Sequence, residues 1–258
     1  GKNAGRNINR ANMVRPWLFL LPAMIALGLY LVYPVFATLW YSMTDRDAGN
    51  AFVGFDNYRQ MFAQPKFWEA MNNNILWLII VPAASAAFGL LAAQLTDRIK
   101  WGNFAKSLIF MPMAISFVGA SIIWKFVYEF RDDDVQIGLL NAIWTFFGGE
   151  PVNWMLSKPI NTFLLMIILV WTQMGFGMVI LSAAIKGVPS DIVEASALDG
   201  AHGWRLFRNI TFPMVKGTFI VVLATGVVGA LKVFDIVRTM TGGNFSTNVL
   251  ANEMYSQT

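Results

Sequence analysis

Cysteine is absent from the 258 residues, and histidine occurs once, as His202. Without cysteine there is no disulfide, thiolate nucleophile or zinc-cysteine site. With a single imidazole, neither a Ser-His-Asp triad nor a histidine metal cluster can be assembled. Charge is scarce as well: charged residues make up 13% of the chain, roughly half the usual share of a soluble domain. No G-x-S-x-G elbow or G-x-x-x-x-G-K-[ST] phosphate loop occurs, and "KGT" at 216–218 has its residues in the wrong order. The chain therefore reads as no enzyme and as holding no cofactor of its own; nucleotide energy, if used, enters through another chain. A net charge of +4, scattered along the sequence, points away from nucleic acid. The acidic run at 132–134 lacks the Glu, Asn and Gly pattern of a calcium loop, so a solvated face is expected there and no metal site.

What the sequence has in abundance is apolar surface: 56% hydrophobic residues, with 10 Trp and 21 Phe. Five apolar runs, at about 17–40, 75–95, 108–127, 163–185 and 218–236, each have the length of a membrane crossing. In hydrocarbon every backbone N–H and C=O must find a partner within the segment, so the runs are expected to be helices. An all-α, polytopic membrane helix bundle follows, with a basic segment at 1–16 and a transmembrane domain at 17–258. Pro22, Pro34, Pro82 and Pro112 lie inside the runs, and kinks are expected there.

Lys2, Arg6, Arg10 and Arg15 precede the first run without an acid, Arg98, Lys100 and Lys106 crowd one short loop, and Lys186, Arg205, Arg208 and Lys216 flank another. The positive-inside bias then places the N-terminus and the 187–213 loop in the cytoplasm. That loop holds "EASALDGAHGWRLFRNITFP", Glu194 to Pro213. Asp191 followed by Glu194 has the form of a capping box, which predicts a short helix at 191–198. Asp199-Gly200 is its stop, with Gly200 in the left-handed conformation, and a second helix is expected from about 202 or 203. On these residues alone the loop could equally be an amphipathic helix on the inner leaflet, with Trp204 and Phe207 in lipid, as in a channel or other membrane protein.

The spacing Glu194-Ala195-Ser196, three residues, Gly200, nine residues, Ile210-Thr211-Phe212-Pro213 resembles the EAA loop (E-A-A-x3-G-x9-I-x-L-P) of permease subunits in binding-protein-dependent ABC importers. Ser196 and Phe212 depart from it by small changes, and "MTGGN" at 240–244 resembles an outer-edge motif of the same family. The resemblance covers about 15–258 and is nearest to the sugar-importer branch, with the maltose and alpha-glucoside permeases. It implies a type I ABC importer permease in the bacterial or archaeal inner membrane, paired with a second permease. Two ATPase subunits holding ATP and Mg, and an extracytoplasmic solute-binding protein delivering a sugar, complete the implied assembly. It further implies that the loop, with Asp191, Glu194, Ala195, Ser196, Asp199, Gly200, Ile210 and Pro213, is a coupling helix seated on an ATPase, and that a sixth span follows the five.

Leu169, Thr172, Gln173 and Phe176 recur at i, i+3, i+4 and i+7, as do Thr225, Gly229 and Lys232 at their own helical spacing. Helix packing explains such faces without any solute. Comparison with the maltose permease makes them the solute-lining faces, with Gln173 offering an amide to hydroxyls and Phe176 a ring to a sugar face. Lys232, with Asp235 three residues on, reads as a snorkelling or paired residue.

Overall fold

The computed structural model describes residues 2–46, 48–132 and 135–257, with the backbone alone for 2–14. Asp133 and Asp134 of the acidic run lie outside the described residues. The chain divides into two compact units, residues 1–65 and 66–258.

In the first unit, α1 (Lys2–Leu27) passes through a π turn at Gly28–Val32 into α2 (Tyr33–Tyr41). The widened turn stands just before Pro34: Tyr33 N–H reaches back five residues to Gly28, so the proline ring is relieved of the carbonyl four residues before it. The apolar helix Arg15–Tyr41 thus runs on instead of breaking. A short hairpin, β1 (Thr44–Asp45) against β2 (Ala51–Phe52), and α3 (Asp56–Ala63) complete the unit.

The second unit is entered one residue into α4 (Pro65–Thr96), whose 32 residues extend ten residues before the expected 75. At 1.5 Å per residue it is about 48 Å long, more than the hydrocarbon thickness. Pro82 lies inside it without ending it. The run at 108–127 is not one helix: α5 (Gly102–Phe110) continues into a 3-10 turn (Met111–Ala114), and α6 (Phe117–Val127) leaves at 108°. Pro112 withholds a donor, Ile115 and Ser116 are extended, and Ser116 Oγ accepts from Gly119 N–H at 3.1 Å to start α6 afresh. A single kinked helix was expected here; the side-chain cap turned the proline kink into a break.

After α7 (Leu139–Phe146) come α8 (Ile160–Lys186) and α9 (Ser190–Leu198). The next apolar helix begins at Gly203, not near 218: α10 (Gly203–Leu206), a π turn (Phe207–Thr211) and α11 (Phe212–Leu231) form one element of 29 residues. The second π turn again stands just before an X-Pro pair, Phe212-Pro213, and Phe212 N–H bonds to Phe207 O. Pro213, expected to close the loop, is therefore carried inside a helix. At its other end α11 stops at Leu231, short of 236, and α12 (Asp235–Met240) packs Ile236 and Val237 into the core.

That core joins Trp77 and Val81 of α4 to Leu165, Ile168 and Leu169 of α8. The outer helix surfaces are apolar too, with Phe126 66% and Val221 58% exposed, as suits lipid rather than water. Before α13 (Leu250–Ser256), the 241–249 turn is held by buried amides: Asn73 Nδ2 donates to Ser246 O and Asn248 O, and Asn161 Nδ2 to Phe245 O. Phe245 and Ser246 are both left-handed, at φ 58° and 63°, which this clamp maintains.

Candidate functional site

Three helices come close enough to touch backbone to backbone. A β-carbon on Gly89 of α4 would lie 2.9 Å from Met178 N and 3.0 Å from Gly177 C on α8. About a turn away along both helices a cavity of about 600 Å³ opens, lined by Ser85 of α4, Thr172, Gln173 and Phe176 of α8, and Thr225, Gly226 and Gly229 of α11. The bend supplies Ser116 and Phe117, and Asp235 stands at the start of α12. That volume suits a small organic solute.

Five of the seven residues expected to line a solute path meet here: Thr172, Gln173, Phe176, Thr225 and Gly229. Leu169 does not; at 1% exposure it fills the core behind the cavity. Lys232 does not either, because α11 ends at Leu231 and leaves it exposed as the cap. Among the described residues it forms no ion pair with Asp235, while Arg238 lies 4.8 Å from the Tyr255 ring. Ser85 was not foreseen: it hides in a run of alanines whose spacing carries no polar pattern, and only the approach of α8 turns it inward.

The polar atoms differ in what they leave free. The Thr172 and Thr225 hydroxyls already donate to Leu169 O and Val221 O, at 2.9 and 3.0 Å. Gln173 Oε1 and Ser85 Oγ are buried and have no hydrogen-bond partner among the described residues. Gln173 lies against Gly229, where any β-carbon would overlap its amide. Unmet buried oxygens cost stability; both belong to residues lining the cavity, although the two atoms themselves are shut off from it.

The loop after α8 has its own order. Its helix begins at Ser190 with Pro189 as cap, and no side chain among the described residues closes the first turn. Asp191 is therefore not the cap that the sequence pattern suggested: extended Pro189 starts the helix one residue early, and Asp191 sits in the first turn, where its charge suits the free N–H groups. The C-terminal end is as expected. Gly200 has φ +81°, Gly200 N–H reaches Ala197 O and Ala201 N–H reaches Ser196 O, the paired bonds of a Schellman stop. Ser196 is buried, whereas Asp191, Glu194, Ala195, Asp199 and especially Leu198, at 90%, are exposed. Ile210 falls in the π turn and Pro213 in α11.

Near the end of α8 from which this loop leaves, a carboxylate is held between three elements. Asp97, just past α4, accepts from Lys106 Nζ of α5 and from Ser182 Oγ of α8 at 2.9 Å, and lies 3.3 Å from Lys186 Nζ. Burial pushes its carboxyl up, but the bonds from Lys106, Ser182 and Lys186 outweigh that and hold it below the ordinary carboxylate range. The loop at 98–106 read as merely basic; that one of its lysines faces inward was not legible.

Residues 85–258 match the family described as binding-protein-dependent transport system inner membrane component. The alpha-glucoside transport system permease protein AglF of Rhizobium meliloti (strain 1021) is 54% identical over 256 residues, covering 99% of this chain and 76% of that protein. The osmoprotective compounds uptake permease protein GgtC of Synechocystis sp. is 47% identical over 241 residues, covering 93% and 86%. Among solved structures, a bacterial ABC transporter involved in the import of the acidic polysaccharide alginate superposes with a TM-score of 0.80 over 98% of this chain and 86% of that one. Its identity is 19%, which speaks to the fold alone. A structure of the alginate transporter in complex with a periplasmic protein carrying an alginate pentasaccharide has the same TM-score, 0.80, at 19% identity, covering 97% and 84%.

Proposed function

The chain belongs to the family of binding-protein-dependent transport system inner membrane components, and from this we propose that it forms, with a second permease subunit, the membrane path of an importer for a sugar of the alpha-glucoside or disaccharide class. It is a permease of an ABC importer, not an enzyme; ATP and Mg bind to two partner ATPase subunits. An extracytoplasmic binding protein delivers the solute, in keeping with the complex of the alginate transporter with its periplasmic protein. The N-terminus and the 187–213 loop face the cytoplasm, where α9 is the coupling helix docked on an ATPase through Glu194 and the exposed face around it.

The cavity carries the reading. It is large enough for a sugar ring, Phe176 offers a ring face, and Gln173 and Ser85 bring an amide and a hydroxyl to its wall. The 54% identity to an alpha-glucoside permease supports that choice of sugar. The test is uptake by the whole reconstituted complex across a panel of disaccharides, with Gln173→Ala and Ser85→Ala beside wild type. Loss of one solute hydrogen bond at a buried site costs about 1–3 kcal/mol, roughly a 5- to 150-fold fall in uptake efficiency. A packing role predicts the reverse pattern: lower thermal stability of the empty complex with uptake unchanged. That result would remove the cavity from the solute path.

A further inference from the structure

Asp97 is 14% exposed and Lys106 16%. Burying an ion pair costs solvation that an apolar contact would spare, so its place between helices calls for a reason. Along α4, Gly89 lies between Ser85 of the cavity and Asp97; along α8, Gly177 lies between Gln173 and Ser182. The glycine contact thus separates the cavity from the carboxylate on both helices. α5 meets α8 as closely, since a β-carbon on Gly175 would lie 2.8 Å from Phe110 Cα. Three residues past Lys186 stands Pro189, the cap of α9.

Smooth backbone contact at glycine holds helices close but leaves them free to slide or pivot. The carboxylate removes that freedom at the α9 end, because its two oxygens take donors from α5 and α8 while Lys106 Nζ also donates to Ser182 Oγ at 2.7 Å. Charge-assisted bonds of this kind set register as well as proximity.

We propose that Asp97, with Lys106, Ser182 and Lys186, is a positioning cluster that makes α4, α5 and α8 follow α9 as one body, so that displacement of α9 reaches Ser85 and Gln173 at the cavity. The proposal rests on the reading of α9 as the coupling helix. Asp97 touches no solute; it acts through the helices it joins.

The experiment uses the whole importer in proteoliposomes, wild type beside Asp97→Asn and the pair Asp97→Cys with Ser182→Cys. Expected for Asp97→Asn is a complex holding its ATPase subunits at wild-type stoichiometry, with uptake per ATP lowered about fivefold or more, the low end of coupling between sites. This chain has no other cysteine, so a short bifunctional methanethiosulfonate reagent joins positions 97 and 182, and this bridge is expected to restore uptake per ATP. A role in folding alone would lower assembly or thermal stability and leave uptake per ATP of the assembled complex unchanged. Should Asp97→Asn fail to assemble, Lys186→Met, which removes a partner that is 61% exposed, is expected to lower uptake per ATP in an intact complex. Wild-type coupling in the assembled variants, or a bridged pair as uncoupled as the unbridged one, overturns the cluster's role. Absence of solute-stimulated hydrolysis in the wild-type complex overturns instead the importer reading beneath it.

Discussion

Replacing Gly89 with alanine tests the helix contact on which the cavity depends. The added carbon would meet Met178 N at 2.9 Å, Gly177 C at 3.0 Å and Met174 O at 3.0 Å, all of them backbone atoms of α8, where ordinary contact begins near 3.4 Å. No rotamer change relieves this; α4 and α8 must separate by roughly half an ångström or more. Overpacking of this kind costs about 1–3 kcal/mol. For a unit of about 190 residues, each kcal/mol is worth about 2–4 °C in Tm, so a fall of roughly 2–12 °C is expected. Gly217 is the control: it lies in α11 with nothing within 4 Å of its would-be β-carbon. Gly217→Ala should be neutral or stabilising by up to about 1 kcal/mol through helix propensity. The assay is thermal unfolding of the detergent-solubilised complex by intrinsic tryptophan fluorescence. A Gly89→Ala complex as stable as wild type would refute the close contact.

Other outcomes follow from the same geometry. Gly200→Val forces a β-branched residue to φ +81°; the local cost of about 1–2 kcal/mol should loosen α9 and reduce co-purifying ATPase while the helices stay inserted, and wild-type ATPase stoichiometry would speak against docking there. Because the folded-state carboxyl of Asp97 lies below its ordinary 3.8, its stabilising contribution is complete above that value and is lost as pH falls through the folded pKa. Acid unfolding below about pH 4 should therefore be shallower in Asp97→Asn than in wild type, and identical acid profiles would contradict the pairing. Single cysteines at Asn3 and Asn153 should label from opposite sides of the membrane in intact cells; same-side labelling would sink the proposed orientation.

How much was legible from residues alone depended on whether the deciding force was local. Apolar length sufficed for the all-helical class, because a backbone in hydrocarbon has no partner but itself. The stop at Gly200 was readable because only a residue without a β-carbon enters that conformation freely. The spacing from Glu194 to Pro213 sufficed for the family. Helix phase is likewise local, so the α8 face of Thr172, Gln173 and Phe176 was visible before any packing was known.

Tertiary structure decided what no local period encodes. Whether Pro112 kinks or breaks its run turned on Ser116 capping the next helix, and whether Pro213 ends or continues one turned on the π turn before it. Those two outcomes set where the bend and α11 lie and left Lys232 outside, while the approach of α8 to α4 brought Ser85 and Gln173 to one cavity and kept Leu169 in the core. Asp97 and Ser182 are 85 positions apart in the chain. Their bond exists because α4 and α8 cross closely at Gly89 and Gly177, and a crossing is a property of two surfaces that neither segment specifies by itself.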